Sequence, residues 1–416
     1  MKLVALFLSN RLIKSVLVLL SGTIVAQLVP IALQPLLRRT YSPEDFGKYA
    51  LFAAVLEIIV TINTFRLEQA VLIPKDESQA YKLVRSSITT AVFVSLLVVP
   101  ILPILHYFTG LTYSLLVLLP FCSFFFGLIN IGNYWFVRKS IFKKLSFNKL
   151  IRRFTEGGFH LVFGFFLTQL GLVIGSLIGF VIAGIHVFYE LKLKKFFSWS
   201  EYVSVLSEYK SFILYSVFPA LLNIISLFIP LFIFKSKFND FHTGQFDLTR
   251  QVLGVPLVII SGTLSQVLVS HVAQRFHKKL KIMDILLKVL ILCIGISFLL
   301  IFIINNYGTN IIVFIFGEKW KLAGNLSELL VWGYSFKFLS TCFYNVLIPI
   351  DKVRILGWWH ILNFLISLVL FVPFLTNTIT SFCTTYAITE VISCLICVFF
   401  VFRSVLKVQN NNLANE

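Results

Sequence analysis

Inside long apolar runs of this 416-residue chain stand six ionisable side chains: Glu57, Arg66, Glu68, Glu156, Lys337 and Glu390. Arg250, with Asp247, lies near the end of another such run. A charge at the centre of a bilayer costs ~2.5–3.5 kcal/mol on insertion scales, so position alone makes these residues functional candidates. Arginine offers a planar fork matched to phosphate oxygens, and lysine a point charge. A carboxylate partly removed from water is placed to exchange a proton. Glu57 leads the ion-coupling candidates, because Thr61 and Thr64 complete an oxygen-rich site for Na⁺ or a hydrated proton path; Glu68 and Glu390 are the others.

At about 100° per residue, Glu57, Thr61, Thr64 and Glu68 fall within about 60° of one another, while Arg66 faces the opposite side with Asn63 and Gln69. One face lines a water-filled cavity and the other packs against neighbouring helices; the spacing leaves open which. Each charge also has a plainer reading. Arg66 precedes Pro74 by eight residues, which is ~12 Å along a helix and within reach of the interface by snorkelling. Arg250 reads equally as an interfacial anchor, Lys337 as the partner of a neighbouring Glu, and Glu156 as a boundary residue following Arg152 and Arg153. His160 and His186 read as hydrogen-bonded bundle residues before proton relays, and the seven histidines show no metal-ligand spacing.

The elements that hold these residues follow from composition. The chain is 58% hydrophobic and 13% charged, against about 25% charged in soluble proteins, and its mean hydropathy is +0.91. It is an all-α polytopic membrane protein. Twelve runs are long enough to cross a bilayer, near 15–37, 46–73, 86–106, 113–137, 150–168, 170–189, 212–234, 246–271, 284–305, 325–350, 355–375 and 381–402. The first follows Lys2, Arg11 and Lys14 but is too long for a signal peptide and leads into Gln34, Pro35, Arg38 and Arg39, so it reads as a retained span. No loop is large enough for a folded domain, which places any function inside the bundle.

Thirty-six Lys+Arg against 18 Asp+Glu leave a net charge of +18. With the amino terminus in the cytoplasm, inner segments collect 26 cations and outer ones 8, with Arg66 and Lys337 inside spans. That asymmetry satisfies the positive-inside rule, puts both termini in the cytoplasm and explains the charge without nucleic acid. Cys122, Cys293, Cys342, Cys383, Cys394 and Cys397 sit in apolar runs; the C-x-x-C of Cys394 and Cys397 lacks companion ligands and reads as buried packing. The basic segment from Lys192 to Lys210 divides the spans into two lobes of six, 1–195 and 196–416. A weak internal repeat agrees: Pro35 leads through Asp45-Phe46 to Gly47, and Pro230 through Asp240-Phe241 to Gly244, with two residues inserted. Pro30, Pro35, Pro219, Pro230, Pro256 and Pro349 permit bends in or at the ends of spans.

The stretch Ser21-Gly22-Thr23, Gln27, Pro30, Pro35-Leu36-Leu37-Arg38-Arg39 and Tyr41-Ser42-Pro43-Glu44-Asp45-Phe46-Gly47 resembles the opening of the bacterial polysaccharide transporter family. That family, which includes the O-antigen flippases, belongs to the multidrug/oligosaccharidyl-lipid/polysaccharide exporter superfamily. Arg66-Leu67-Glu68 with Leu72-Ile73-Pro74-Lys75-Asp76 resembles its second-helix signature, although Leu67 replaces a common aromatic; Arg250, Pro256-Leu257 and Gln266-Val267 resemble its eighth helix.

The resemblance implies two six-helix lobes around a central cavity in the bacterial inner membrane, opening alternately to either face. It implies a lipid-linked oligosaccharide on an undecaprenyl pyrophosphate carrier as cargo. Arg66, Arg250 and Lys337 are the expected contacts for the pyrophosphate. Membrane lipids and polysaccharide assembly proteins are the expected partners, and no cofactor is implied beyond a coupling H⁺ or Na⁺. A multidrug/cation antiporter of the same superfamily is the nearer alternative, and a membrane-embedded polymerase or glycosyltransferase the farther one. The longest outer loop, Asn306 to Gly324, carries only Glu318, Lys319 and Lys321, so no catalytic residue is assigned. No Walker A motif occurs.

Overall fold

The computed structural model describes residues 11–167, 169–193, 198–278 and 280–414. The tail bearing Lys2, the end of the chain after residue 414, and residues 194–197 of the basic segment lie outside them. The described residues contain helices and turns and no strand.

Helix α1 (Arg11–Thr40) runs through Pro30 and Pro35 and ends in Arg38 and Arg39, cations at the negative end of its dipole. The turn into α2 (Pro43–Ile62) is a capping box. Ser42 Oγ accepts from Asp45 N at 3.2 Å, Asp45 Oδ2 accepts from Ser42 N at 3.0 Å, and Pro43 opens the helix. Buried Tyr41 donates its hydroxyl to the His160 carbonyl at 2.7 Å, and the Arg38 guanidinium lies 3.7 Å from the Phe46 ring centre. The hairpin signature is thus a structural device.

The sequence predicts one helix over 46–73, and here the structure differs. Helix α2 stops at Ile62, Phe65 and Arg66 turn left-handed at φ 50° and 59°, and the chain resumes as α3 (Leu67–Ala70). Neither glycine nor proline marks the break. Asn63 Nδ2 instead donates to the Ser123 carbonyl at 2.5 Å on a neighbouring helix, where Gly127 leaves space; a Cβ there would lie 2.6 Å from Asn63 Nδ2.

Helix α4 (Glu77–Val98) continues through a 3-10 turn, Val99–Ile101, into α5 (Leu102–Thr109), and α6 (Tyr113–Leu116) precedes α7 (Leu119–Arg138). Next come α8 (Phe142–Gly164), α9 (Gln169–Leu191), α10 (Trp199–Glu208) and α11 (Lys210–Lys237). Leu67, Val71, Leu83, Leu128, Trp135 and Val187 form the centre of the first core. Short α10 docks through a bidentate pair, with Arg85 Nε and Nη2 donating to Glu201 Oε1 and Oε2 at 2.8 and 2.9 Å.

Packing divides the chain into two compact units, Met1–Ile225 and Ser226–Glu416. The sequence places that division at 195/196. Tyr209, Phe212 and Ile213 pack on the first core, which carries the start of α11 into the first unit.

The second unit completes α11 and adds α12 (Asp240–His277), α13 (Met283–Phe316), α14 (Lys321–Phe343), α15 (Val353–Ser367) and α16 (Ile379–Ala414). Helix α14 is central, packed against α12, α13 and α16. Gln245 of α12 fastens its start, donating to the Lys319 carbonyl at 2.6 Å and accepting from Ala323 N at 2.9 Å. Asn239 caps α12 through His242 N at 3.0 Å. It follows Pro230 by nine residues, whereas Ser42 follows Pro35 by seven, the same two-residue offset as in the repeat. The expected outer loop after Asn306 is mostly helix, since α13 runs to Phe316 and only Gly317 and a 3-10 turn, Glu318–Trp320, precede α14.

Eight described helices or helix pairs are long and apolar enough to cross a membrane. Counting the more polar helices beside them gives about twelve crossings in two lobes of six: an all-α, multi-pass membrane protein. All six cysteines are buried and free.

Candidate functional site

The break after α2 builds the site of the first unit. A cavity of about 270 Å³ is lined by Glu57, Thr61, Arg66, Glu68, Phe126 and Tyr134, with Gln69 and Asn130 also in its wall. An unbroken helix would set Arg66 opposite the two carboxylates. The left-handed turn at Phe65 and Arg66 instead swings the guanidinium into the same cavity. Two adjacent non-glycine residues in that conformation cost about 1–2 kcal/mol each, a strain that recurs at functional sites. Arg66 Nε is buried and has no hydrogen-bond partner.

The threonines do not close a site around Glu57 as expected. Thr61 Oγ1 donates to the Glu57 backbone carbonyl at 2.8 Å, and Thr64 Oγ1 donates to Glu68 Oε2. Glu68 is buried with that partner, whereas Glu57 is exposed. Glu156, read as a boundary residue, is buried too: Arg153 Nη1 reaches its Oε2 at 3.0 Å and Ser176 Oγ its Oε1 at 3.4 Å. Beside it, His160 Nε2 lies 3.1 Å from Ser176 Oγ, and Asn148 Nδ2 meets His186 Nδ1 at 3.0 Å, which is bundle hydrogen bonding.

The second unit gathers the other three candidates. Lys337 Nζ of α14 donates to Glu390 Oε1 of α16 at 2.6 Å, so the pairing weighed for Lys337 is present. Tyr386 stands one turn before Glu390 on α16 with its ring centre 5.9 Å from Lys337 Nζ, and Tyr334 packs edge-on against it with ring centres 6.2 Å apart. On α12, Arg250 Nη2 donates to Asp247 Oδ1 at 3.1 Å, and Gln251 Nε2 takes Oδ2 at 2.7 Å. The guanidinium lies 5.2 Å from the Phe228 ring centre, and its Nε is buried without a hydrogen bond. Arg250 and Lys337 also act on each other electrostatically. Each cation therefore stands beside a carboxylate of its own unit.

Several members of these sites escape a reading confined to charge. Asn130 and Tyr134 break an apolar run one turn apart, and that polar interruption is the signal for them. Tyr334 and Tyr386 precede Lys337 and Glu390 by three and four residues, which sets each on the face of its charged neighbour.

Two helical units with buried charges at membrane depth define a class, the helical membrane transporters. The chain matches the family model described as "Polysaccharide biosynthesis protein" over residues 36–324. It belongs to that polysaccharide biosynthesis family. None of the curated proteins matches the chain.

Among solved structures, the lipid II flippase MurJ in an inward closed conformation aligns with a TM-score of 0.76 at 14% identity, over 96% of this chain and 91% of that one. A multidrug resistance MATE family transporter of the MOP superfamily, inward-facing, gives 0.74 at 11% identity over 91% and 94%. A MOP superfamily transporter from Pyrococcus furiosus gives 0.61 at 12% identity over 95% of both chains. At such identities the likeness establishes the fold, which is that of the MOP superfamily transporters.

Proposed function

We propose that this protein is a flippase that carries undecaprenyl-pyrophosphate-linked oligosaccharide repeat units across the bacterial cytoplasmic membrane by alternating access, for O-antigen, capsule or a related surface polysaccharide. The observation that carries the reading is Arg66, a strained cation turned into a cavity with its Nε unbonded. At about 270 Å³ the cavity falls short of the ~300–1,000 Å³ of a drug-sized pocket. It accommodates a charged fragment such as a phosphate group, with the sugars outside it. Arg250 and Lys337 supply the further cationic contacts, and no bond is made or broken in the cargo, so the protein is not an enzyme. Both termini and the basic segment 138–153 face the cytoplasm. A gradient of H⁺ or Na⁺ drives transport through Glu57, Glu68 or Glu390. Membrane lipids surround the bundle, and polysaccharide assembly proteins receive the cargo.

The test is a deletion strain. Accumulation of lipid-linked repeat units, reversed by the wild-type gene and not by Arg66→Ala at equal protein level, is the expected result. Normal surface polysaccharide together with lost drug efflux would favour the multidrug/cation antiporter instead.

A further inference from the structure

Arg138 closes α7, the helix whose Phe126, Asn130 and Tyr134 wall the Arg66 cavity. Its guanidinium reaches back to the backbone just beyond α3. Nη1 donates to the Val71 carbonyl at 2.7 Å, and Nη2 lies 3.4 Å from the carbonyl oxygens of Lys75 and Asp76. Val71 caps α3 and is fully buried, so its carbonyl needs a donor from within the protein. The local chain cannot supply one. Leu72 N donates to the Gln69 carbonyl at 3.2 Å and Ile73 N to the Ala70 carbonyl at 2.9 Å, and the next donor in that series falls at position 74. Pro74 has no N–H. Arg138 takes its place.

The other end of the broken segment is tied to the same helix, since Asn63 Nδ2 donates to the Ser123 carbonyl of α7. Between the two ties lie Phe65 and Arg66, at φ 50° and 59°, and then Glu68. A left-handed pair of this kind persists only where its surroundings over-determine it. With a tie at one end alone, the segment is free to wind back into a continuous helix, which would return Arg66 to the face opposite Glu57 and Glu68. Arginine suits the second tie because its planar fork presents several donors at once. The packing of α7 on α4 does not depend on it: Trp135 lies against Tyr81 with ring centres 4.6 Å apart, and Lys139 pairs with Glu77.

We propose that Arg138 is a positioning residue of the N-terminal cavity: it supplies the donor that Pro74 lacks and so holds the turn at Phe65 and Arg66 with the Arg66 guanidinium in the cavity beside Asn130 and Tyr134. Arg138 is not part of the cavity wall and touches no cargo; it acts through Arg66. The inference rests on the reading of Arg66 as an anion contact.

The test uses the full-length protein in detergent and inorganic pyrophosphate as the probe, measured by titration calorimetry. Arg138→Ala should weaken binding about tenfold, as the loss of a residue supporting a binding group does. Arg138→Lys, which keeps one donor for Val71 and loses the fork, should recover part of it. With Arg66→Ala already in place, adding Arg138→Ala should change the affinity by less than about twofold, because the two residues act as a unit. Wild-type affinity in both Arg138 variants, or the same loss repeated in full on top of Arg66→Ala, would overturn the proposal; the lysine variant decides if the alanine variant does not fold. Weakened binding in Arg66→Ala with none in either Arg138 variant would overturn it and leave the flippase reading standing. Binding that depends on both arginines, in a protein that moves no lipid-linked sugar, would remove the flippase reading and leave the positioning role intact. Absence of pyrophosphate binding by the wild-type protein would overturn both.

Discussion

Lys337 and Glu390 hold each other at 2.6 Å, with the Tyr386 ring centre 5.9 Å from the ammonium. Removing one partner strands the other, whereas removing both leaves only a gap. Lys337→Ala should therefore lower stability by about 1–3 kcal/mol, below the ~3–5 of a fully buried pair, because the lysine side chain is 34% exposed. The double variant Lys337→Ala/Glu390→Ala should regain part of that loss in thermal unfolding, yet still fail to export. A single variant as stable as wild type would show that the pair carries no structural weight. Glu57 answers to a different measurement. Glu57→Gln keeps the shape and removes the titration, so transport by reconstituted vesicles should lose its dependence on an imposed ion gradient. Full, gradient-dependent transport by that variant would exclude Glu57 as the coupling group and move attention to Glu68 and Glu390.

One helix start has a local spelling in the sequence, and the decisive helix end does not. Ser42-Pro43-Glu44-Asp45 spells a capping box, and the structure forms it; Ser42→Ala should cost about 1 kcal/mol in unfolding experiments. The stop at Ile62 has no such local spelling, since Asn63, Thr64, Phe65 and Arg66 continue a helix as well as they end one. It is made by tertiary contact, Asn63 bonding the Ser123 carbonyl over Gly127. For that reason periodicity assigned Arg66 to the wrong side of Glu57 and Glu68, although it named all three. Gly127→Ala should test the device, because a methyl at 2.6 Å from Asn63 Nδ2 must displace it. We expect a loss of about 1–3 kcal/mol together with reduced export, and an alanine variant with wild-type stability and export would contradict the role given to Asn63. The Lys337–Glu390 pairing was foreseeable as a type of contact but not as a particular one, since α14 and α16 meet only in the fold.

Composition and helix-length runs mark an all-α membrane protein of about twelve crossings, whereas the place of the division between its two units, after Ile225, follows from the packing of α11 on the first core. The proposed orientation rests on 26 cations against 8, so a reporter fused at residue 145 should show cytoplasmic activity; periplasmic activity there would invert the bundle. What the chain does with its half-buried cations is decided most directly in liposomes. The purified protein, given undecaprenyl pyrophosphate bearing a labelled oligosaccharide, should move the label between leaflets, read as loss of accessibility to an added sugar-modifying enzyme. Wild type should translocate, and the triple variant Arg66→Ala/Arg250→Ala/Lys337→Ala should not. Equal translocation by the two proteins would contradict the account of how the anionic carrier is held.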